Sequence, residues 1–231
     1  MPNTYSIDLT KSWTTSNVDP VSISIFDLVT NVKLPQLWYN PVENSVHMSG
    51  GLTFNRSDIP GSYTFTPTGS GGVVWGEDAL PSSNTGTLNG LWGTAYASSP
   101  AAFYSIGGVT TLDGVQTPVM SSVVNDFRSS TWVNDTNGNG FNTRLTFDSK
   151  MEYVPNFGDE GVLVALGGNI YQDQSLRDQE NPTLADFSSV DVFDINSNTW
   201  YSQATQGEVP PVAYDGCTVG VASEDGGSFE M

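Results

Sequence analysis

The chain has 231 residues, 37% hydrophobic, 11% aromatic and only 14% charged, a balance that argues against disorder. Its net charge of −18, from 25 acidic and 7 basic side chains, is the wrong field for nucleic acid or an anionic membrane surface. No run reaches the roughly 18–20 apolar residues of a transmembrane helix, so direct membrane insertion is not expected, and one cysteine cannot form an internal disulfide.

Glycine (24) and proline (13) are plentiful, Ser, Thr and Asn dominate the polar positions, and windows rich in helix formers are few. That composition predicts many short strands joined by turns, because Gly and Asn tolerate positive φ and Ser/Thr suit half-exposed strands. The segment Met1 to Asp8 does not read as a signal peptide. In residues 1–32 two runs look like late strands of an incomplete unit: Tyr5 to Trp13, and Val21 to Phe26.

Three full units are then expected, at about 33–90, 91–148 and 149–210. In the first, an aromatic strand at Trp38 precedes Ser45–Ser49 and the diglycine Gly50-Gly51. A loop over 52–62 follows, then a strand from Ser62 that runs on to Trp75. The second unit repeats this with Trp92, Phe103–Ile106, Gly107-Gly108, a loop over 109–121, and Asp126 six residues before Trp132. The third has Tyr153, Val162–Leu166, Gly167-Gly168, a loop over 169–190, and Asp194 six residues before Trp200. Asp8 to Trp13 reads as a shortened copy of the Asp–Trp marker. Residues 211–231 read as early strands of a further unit. Gly226-Gly227 is not taken as a fourth diglycine, because polar Ser223-Glu224-Asp225 precedes it.

The second glycines of the three diglycines lie 57 and 60 residues apart, so the period is nearly constant. Physical reasons connect these markers to stacked sheets. A diglycine at a strand end lets crowded backbones approach without a Cβ clash. A periodic Trp is a large flat anchor between sheets. An Asp just before a turn can cap it through its own backbone.

Carrying these markers, the chain resembles kelch-repeat β-propellers. Tyr153 to Gly168 and Asp191 to Trp200 are particularly similar to the kelch ectodomains of filamentous fungi. The resemblance covers essentially the whole chain, although the units exceed the roughly 50 residues of a kelch repeat, and the Tyr usual before the Trp is Phe or absent. It implies an all-β, kelch-type β-propeller of four-stranded antiparallel blades. Either the terminal segments combine into a fourth blade, or the chain is part of a larger ring. The resemblance also implies a binding scaffold for an unknown protein or glycan ligand, in a secreted or membrane-anchored ectodomain. The competing readings are a carboxylate-dependent, glycosidase-like enzyme and a truncated product without independent function.

No catalytic residue and no cofactor are assigned. Copper radical oxidases share the kelch propeller but need two histidines, and this chain has one, His47, expected as a strand residue. A Ser-His-Asp or Cys-His machine would have to use it, and no nucleophile-elbow pattern surrounds any serine. Cys217, before an apolar run, is expected as a small buried hydrophobe. Glycosidase chemistry would require two buried carboxylates about 5–10 Å apart. Asp135, Asn137 and Asn139 match the start of a calcium loop, but its twelfth position is Thr146 where an acid is needed, so a hairpin turn explains them as well. The sequons at Asn55 and Asn134 are candidate glycosylation sites, both expected in loops, and they suit a secretory route. The candidate binding loop is 169–190, with Tyr171, Arg177, Asp178, Glu180 and Phe187.

Overall fold

A computed structural model describes residues 3–8, 10–24, 32–53, 62–68, 72–78, 90–112, 115–119, 121–135, 145–171, 183–212 and 216–231. Strands β1 (Asn3–Ser6) and β2 (Val21–Ser24) pair as a hairpin. The first unit contains β3 (Val32–Lys33), β4 (Gln36–Asn40), β5 (Ser45–Ser49), β6 (Leu52–Thr53), β7 (Ser62–Pro67) and β8 (Val73–Asp78). The second contains β9 (Leu91–Trp92), β10 (Ala95–Ser98), β11 (Ala102–Ile106), β12 (Val109–Leu112), β13 (Val115–Pro118), β14 (Ser122–Asp126) and β15 (Thr131–Asp135). The third contains β16 (Leu145–Phe147), β17 (Lys150–Val154), β18 (Val162–Leu166), β19 (Asn169–Tyr171), β20 (Thr183–Leu184), β21 (Ser189–Asp194) and β22 (Thr199–Ala204). A last hairpin joins β23 (Val221–Ala222) and β24 (Phe229–Glu230).

Three sheets of four antiparallel strands result: β4-β5-β7-β8, β10-β11-β14-β15 and β17-β18-β21-β22. They are kelch-type propeller blades. Small satellite sheets, β3-β6, β13-β12-β9 and β16-β19-β20, form beyond the diglycines. The first strands of the blades, β4, β10 and β17, lie side by side, so each sheet runs outward from this inner row. The two terminal hairpins stand in separate two-stranded sheets.

Each diglycine ends the second strand of a blade with both residues at positive φ. At Gly50 the reason is visible: a Cβ there would collide with the Leu91 carbonyl of the next unit. The neighbouring Gly51 N–H donates to that same carbonyl at 2.8 Å. Gly50-Gly51 thus ties the first blade to the satellite sheet of the second unit. The Asp–Trp marker spans a hairpin: Asp126 closes β14, the four-residue turn 127–130 follows, and Trp132 is the second residue of β15. Asp126 Oδ1 accepts the Arg128 and Ser129 backbone N–H groups at 3.1 and 2.8 Å. Asp194 does the same for the Asn196 N–H at 3.1 Å, and its Oδ2 accepts from Ser197 Oγ at 2.9 Å.

Two markers sit elsewhere than expected. Trp92 lies on β9, not on an inner blade strand, and Tyr96 holds the aromatic position of β10. Counting back from the diglycine misses this, because β9 pairs with β12 beyond the blade. Trp13 lies outside any strand and is 46% exposed, so this shortened copy anchors nothing between sheets.

The core is laid down between blades. Trp38, Phe103 and Phe127 pack between the first and second blades, with Tyr96 and Trp132 against them. Ala95, Tyr104, Ile106, Met151, Leu163, Phe193 and Trp200 fill the gap between the second and third. On the far face of the third blade, Val154, Val162 and Val164 pack with Phe229 of β24.

Candidate functional site

Bringing three inner strands together leaves a cavity of about 320 Å³ where they converge. That lies at the lower end of the roughly 300–1,000 Å³ typical of small-molecule sites. Strand β4 contributes Leu37, Trp38 and Tyr39, and β10 with its entry contributes Thr94, Tyr96, Ala97 and Ser98. Strand β17 with its entry contributes residues 149–153, including Lys150, Glu152 and Tyr153, and the segment 216–218 closes a fourth side. That segment is held by Thr218 Oγ1, which donates to the Met151 carbonyl at 3.4 Å. Strand alternation places Thr94, Tyr96 and Ser98 on one face of β10.

The lining is aromatic and polar at once. The Tyr39 hydroxyl donates to Asn44 Oδ1 at 2.8 Å, and the Tyr153 hydroxyl to the Glu160 carbonyl at 3.2 Å, so both rings are fixed. Burial, and then the Glu160 charge, push the Tyr153 phenol above its ordinary range and keep it neutral. Trp38 Nε1, Thr94 Oγ1 and Ser98 Oγ are buried without a hydrogen-bond partner among the described residues. Cys217, expected inside, is exposed, because the segment carrying it crosses the cavity in place of entering a sheet.

A second polar group surrounds His47 on β5. Its ring stacks on Trp38 at 4.1 Å and 8°. Nδ1 lies 2.8 Å from Asp78 Oδ2 of β8, and Nε2 shares a hydrogen bond with Ser45 Oγ at 3.0 Å. Hydroxyl, imidazole and carboxylate follow the order of a nucleophilic relay. However, Ser45 is 4% exposed and also donates to Glu43 Oε2 at 3.3 Å. Glu43 Oε2 stands 3.2 Å from Nε2, where it competes with the serine for the ring nitrogen. Neither Ser45 nor His47 lines the cavity. The cluster acts as a buried polar clamp on the Trp38 stack. Sequence reading missed it because Asp78 is 31 residues from His47 and reaches it only across the intervening strand β7.

The remaining candidates are dispersed. Asp135 ends β15, while Asn137 and Asn139 lie outside the described residues, as do Asn55, Arg177, Asp178 and Glu180. Asn134, expected in a loop, is half-buried on β15, where it pairs with Val123 in a strand that continues to Asp135. Tyr171 ends β19, and Phe187 lies in the turn before β21, its carbonyl accepting from Thr205 Oγ1 at 2.6 Å. Among the described residues Asp148 is the one buried carboxylate, so they hold no buried carboxylate pair of the kind a glycosidase needs. No group of three metal-ligating side chains is poised to hold an ion among them.

Four-stranded sheets with a diglycine closing the second strand and a Trp on the fourth have the architecture of kelch-type propeller blades. No family model matches the chain. Over 105 residues it is 34% identical to a Kelch repeat-containing protein of the filamentous fungus Arthroderma benhamiae. The matched stretch covers 43% of this chain and 14% of that protein.

Proposed function

We propose that this chain is a kelch-repeat binding scaffold that recognises a protein or glycan ligand within a secreted or membrane-anchored ectodomain. The observation that carries this reading is the cavity at the inner strands, where aromatic and polar side chains from three blades meet on a rigid frame. The scaffold reading is supported by the similarity to a Kelch repeat-containing protein of a filamentous fungus, and the ectodomain setting by the acidic charge. Recognition here is non-covalent and works by preorganisation, since the lining side chains stand on strands and lose little freedom on binding.

The test is a binding screen of the immobilised chain against glycan and protein libraries, repeated with Tyr39→Ala. Tyr39 is half exposed, so its loss weakens a cavity ligand while leaving the fold. A ligand that binds both forms equally would contradict the cavity as the recognition site.

A further inference from the structure

We infer that the inner-strand cavity receives a neutral saccharide, an inference that rests on the binding-scaffold reading above. The rings of Tyr39, Tyr96 and Tyr153 supply flat faces for the C–H side of a sugar ring. Lys150 and Glu152, two residues apart on β17, bring one positive and one negative group, so the cavity offers donors and acceptors without a net charge. The chain as a whole carries −18, which disfavours an acidic ligand.

The polar side chains of the lining narrow the choice further. Lys150 can only donate and the Glu152 carboxylate only accept, while the Tyr39 hydroxyl, which already donates to Asn44, can still accept. A ligand that satisfies this mixed set needs closely spaced oxygens that are themselves donors and acceptors, combined with an apolar face. A hydroxylated ring meets both conditions in the available volume. A peptide strand would need an open groove along a sheet edge, and the segment 216–218 closes that approach at the cavity.

The chain's single cysteine makes the test positional. Cys217 is exposed and lines the cavity, so its rate of maleimide labelling reports occupancy. The intact chain is titrated by calorimetry with neutral gluco-, manno- and galacto-oligosaccharides, with uronic-acid oligosaccharides and short peptides as comparators. Saturable binding of a neutral oligosaccharide is expected, together with slower Cys217 labelling. Lys150→Met, which removes the one ammonium of the lining at similar length, should weaken it about tenfold, the worth of one hydrogen bond. Tyr96→Ala should weaken it further, with circular dichroism showing that the variant is folded.

Binding of acidic sugars alone would overturn the inferred neutrality. Binding of a neutral sugar that leaves Cys217 labelling and the Lys150→Met affinity unchanged would overturn the placement. A peptide that binds and protects Cys217, with no saccharide doing so, would overturn the inference and leave the scaffold reading standing. If the folded chain binds none of these probes, the saccharide inference fails, and the scaffold reading fails too if the library screen is also empty.

Discussion

The two gaps between blades are built from the same repeat but are filled differently. Between the first and second blades, Trp38 stacks on Phe103 at 4.6 Å and 17°, lies nearly parallel to Phe127 at 5.7 Å, and meets Trp132 edge-on at 6.0 Å. On its other face sits His47 with its serine and carboxylates. Between the second and third blades the filling is mainly aliphatic, with Phe193 set against Trp200 at 5.1 Å and against Tyr104 at 6.1 Å. One gap is therefore a directional stack locked by polar contacts. The other is volume packing, where shape matters more than orientation. A blade repeat fixes where side chains meet and leaves open which chemistry joins them.

The largest effects should come from emptying these gaps. Phe103 is 0% exposed and touches both Trp38 and Trp132. Phe103→Ala is expected to cost about 3–5 kcal/mol, read as a fall in the urea midpoint at unchanged slope. Leu163, also 0% exposed, is the corresponding plug of the second gap. Leu163→Ala should cost about 2–5 kcal/mol. The two gaps should separate under conservative replacement. Leu163→Met should be tolerated at less than about 1.5 kcal/mol, because volume packing accepts it. Phe103→Met should lose the stack and most of the stabilisation. Equal losses for the two methionine variants would erase the distinction between the gaps.

The polar lock gives the next effect. Cutting the His47–Asp78 contact leaves a buried donor or acceptor unsatisfied, at a cost of about 1–3 kcal/mol. A double-mutant cycle of His47→Gln and Asp78→Asn should therefore show clear coupling. Additive losses would mean that the imidazole acts through its stacking on Trp38 alone.

How much of this was legible in the sequence depends on the range of the forces involved. The diglycines and the Asp turns are local steric and hydrogen-bonding facts, and a run such as Val162–Leu166 before Gly167 shows them directly. Within each blade the outer two pairs are hairpins of consecutive strands, and the middle pair closes across the satellite strands. The misplacement of Trp92 has a different cause, since its position is set by pairing of β9 with β12. The Ser45–His47–Asp78 cluster and the cavity are more distant still. Each needs lateral register between strands that sequence spacing does not encode, and Cys217 reaches the cavity from outside the three full blades.

Equivalent turns allow a finer comparison. Ser130 and Asn198 occupy the same place in their hairpins, at φ 53° and 52°. Asn tolerates this left-handed conformation better than Ser. Ser130→Gly is therefore expected to stabilise by roughly 0.5–1 kcal/mol, the relief of strain less the added freedom of the unfolded chain. Asn198→Gly should change little. Identical gains at both positions would show that the two turns are equally strained.

The smallest effect concerns the charge of the turn cap. Asp126 accepts from the Ser129 N–H and Oγ, both at 2.8 Å, and from the Arg128 N–H. The Ser129 contacts, with a smaller share from Arg128, hold its carboxyl below the ordinary value of 3.8. A carboxyl whose folded pKa is depressed contributes stability that is complete above its unfolded value. That contribution is lost as the pH falls through the lower folded value. The Asp126 carboxylate caps a solvent-facing turn, so solvent screening keeps the contribution small. Asp126→Asn preserves the turn's acceptor and removes the charge. The gap between the wild-type and variant urea midpoints should be constant at neutral pH and close on acidification below 3.8. A gap that persists after the carboxyl is protonated would assign the cap's value to geometry and not to charge.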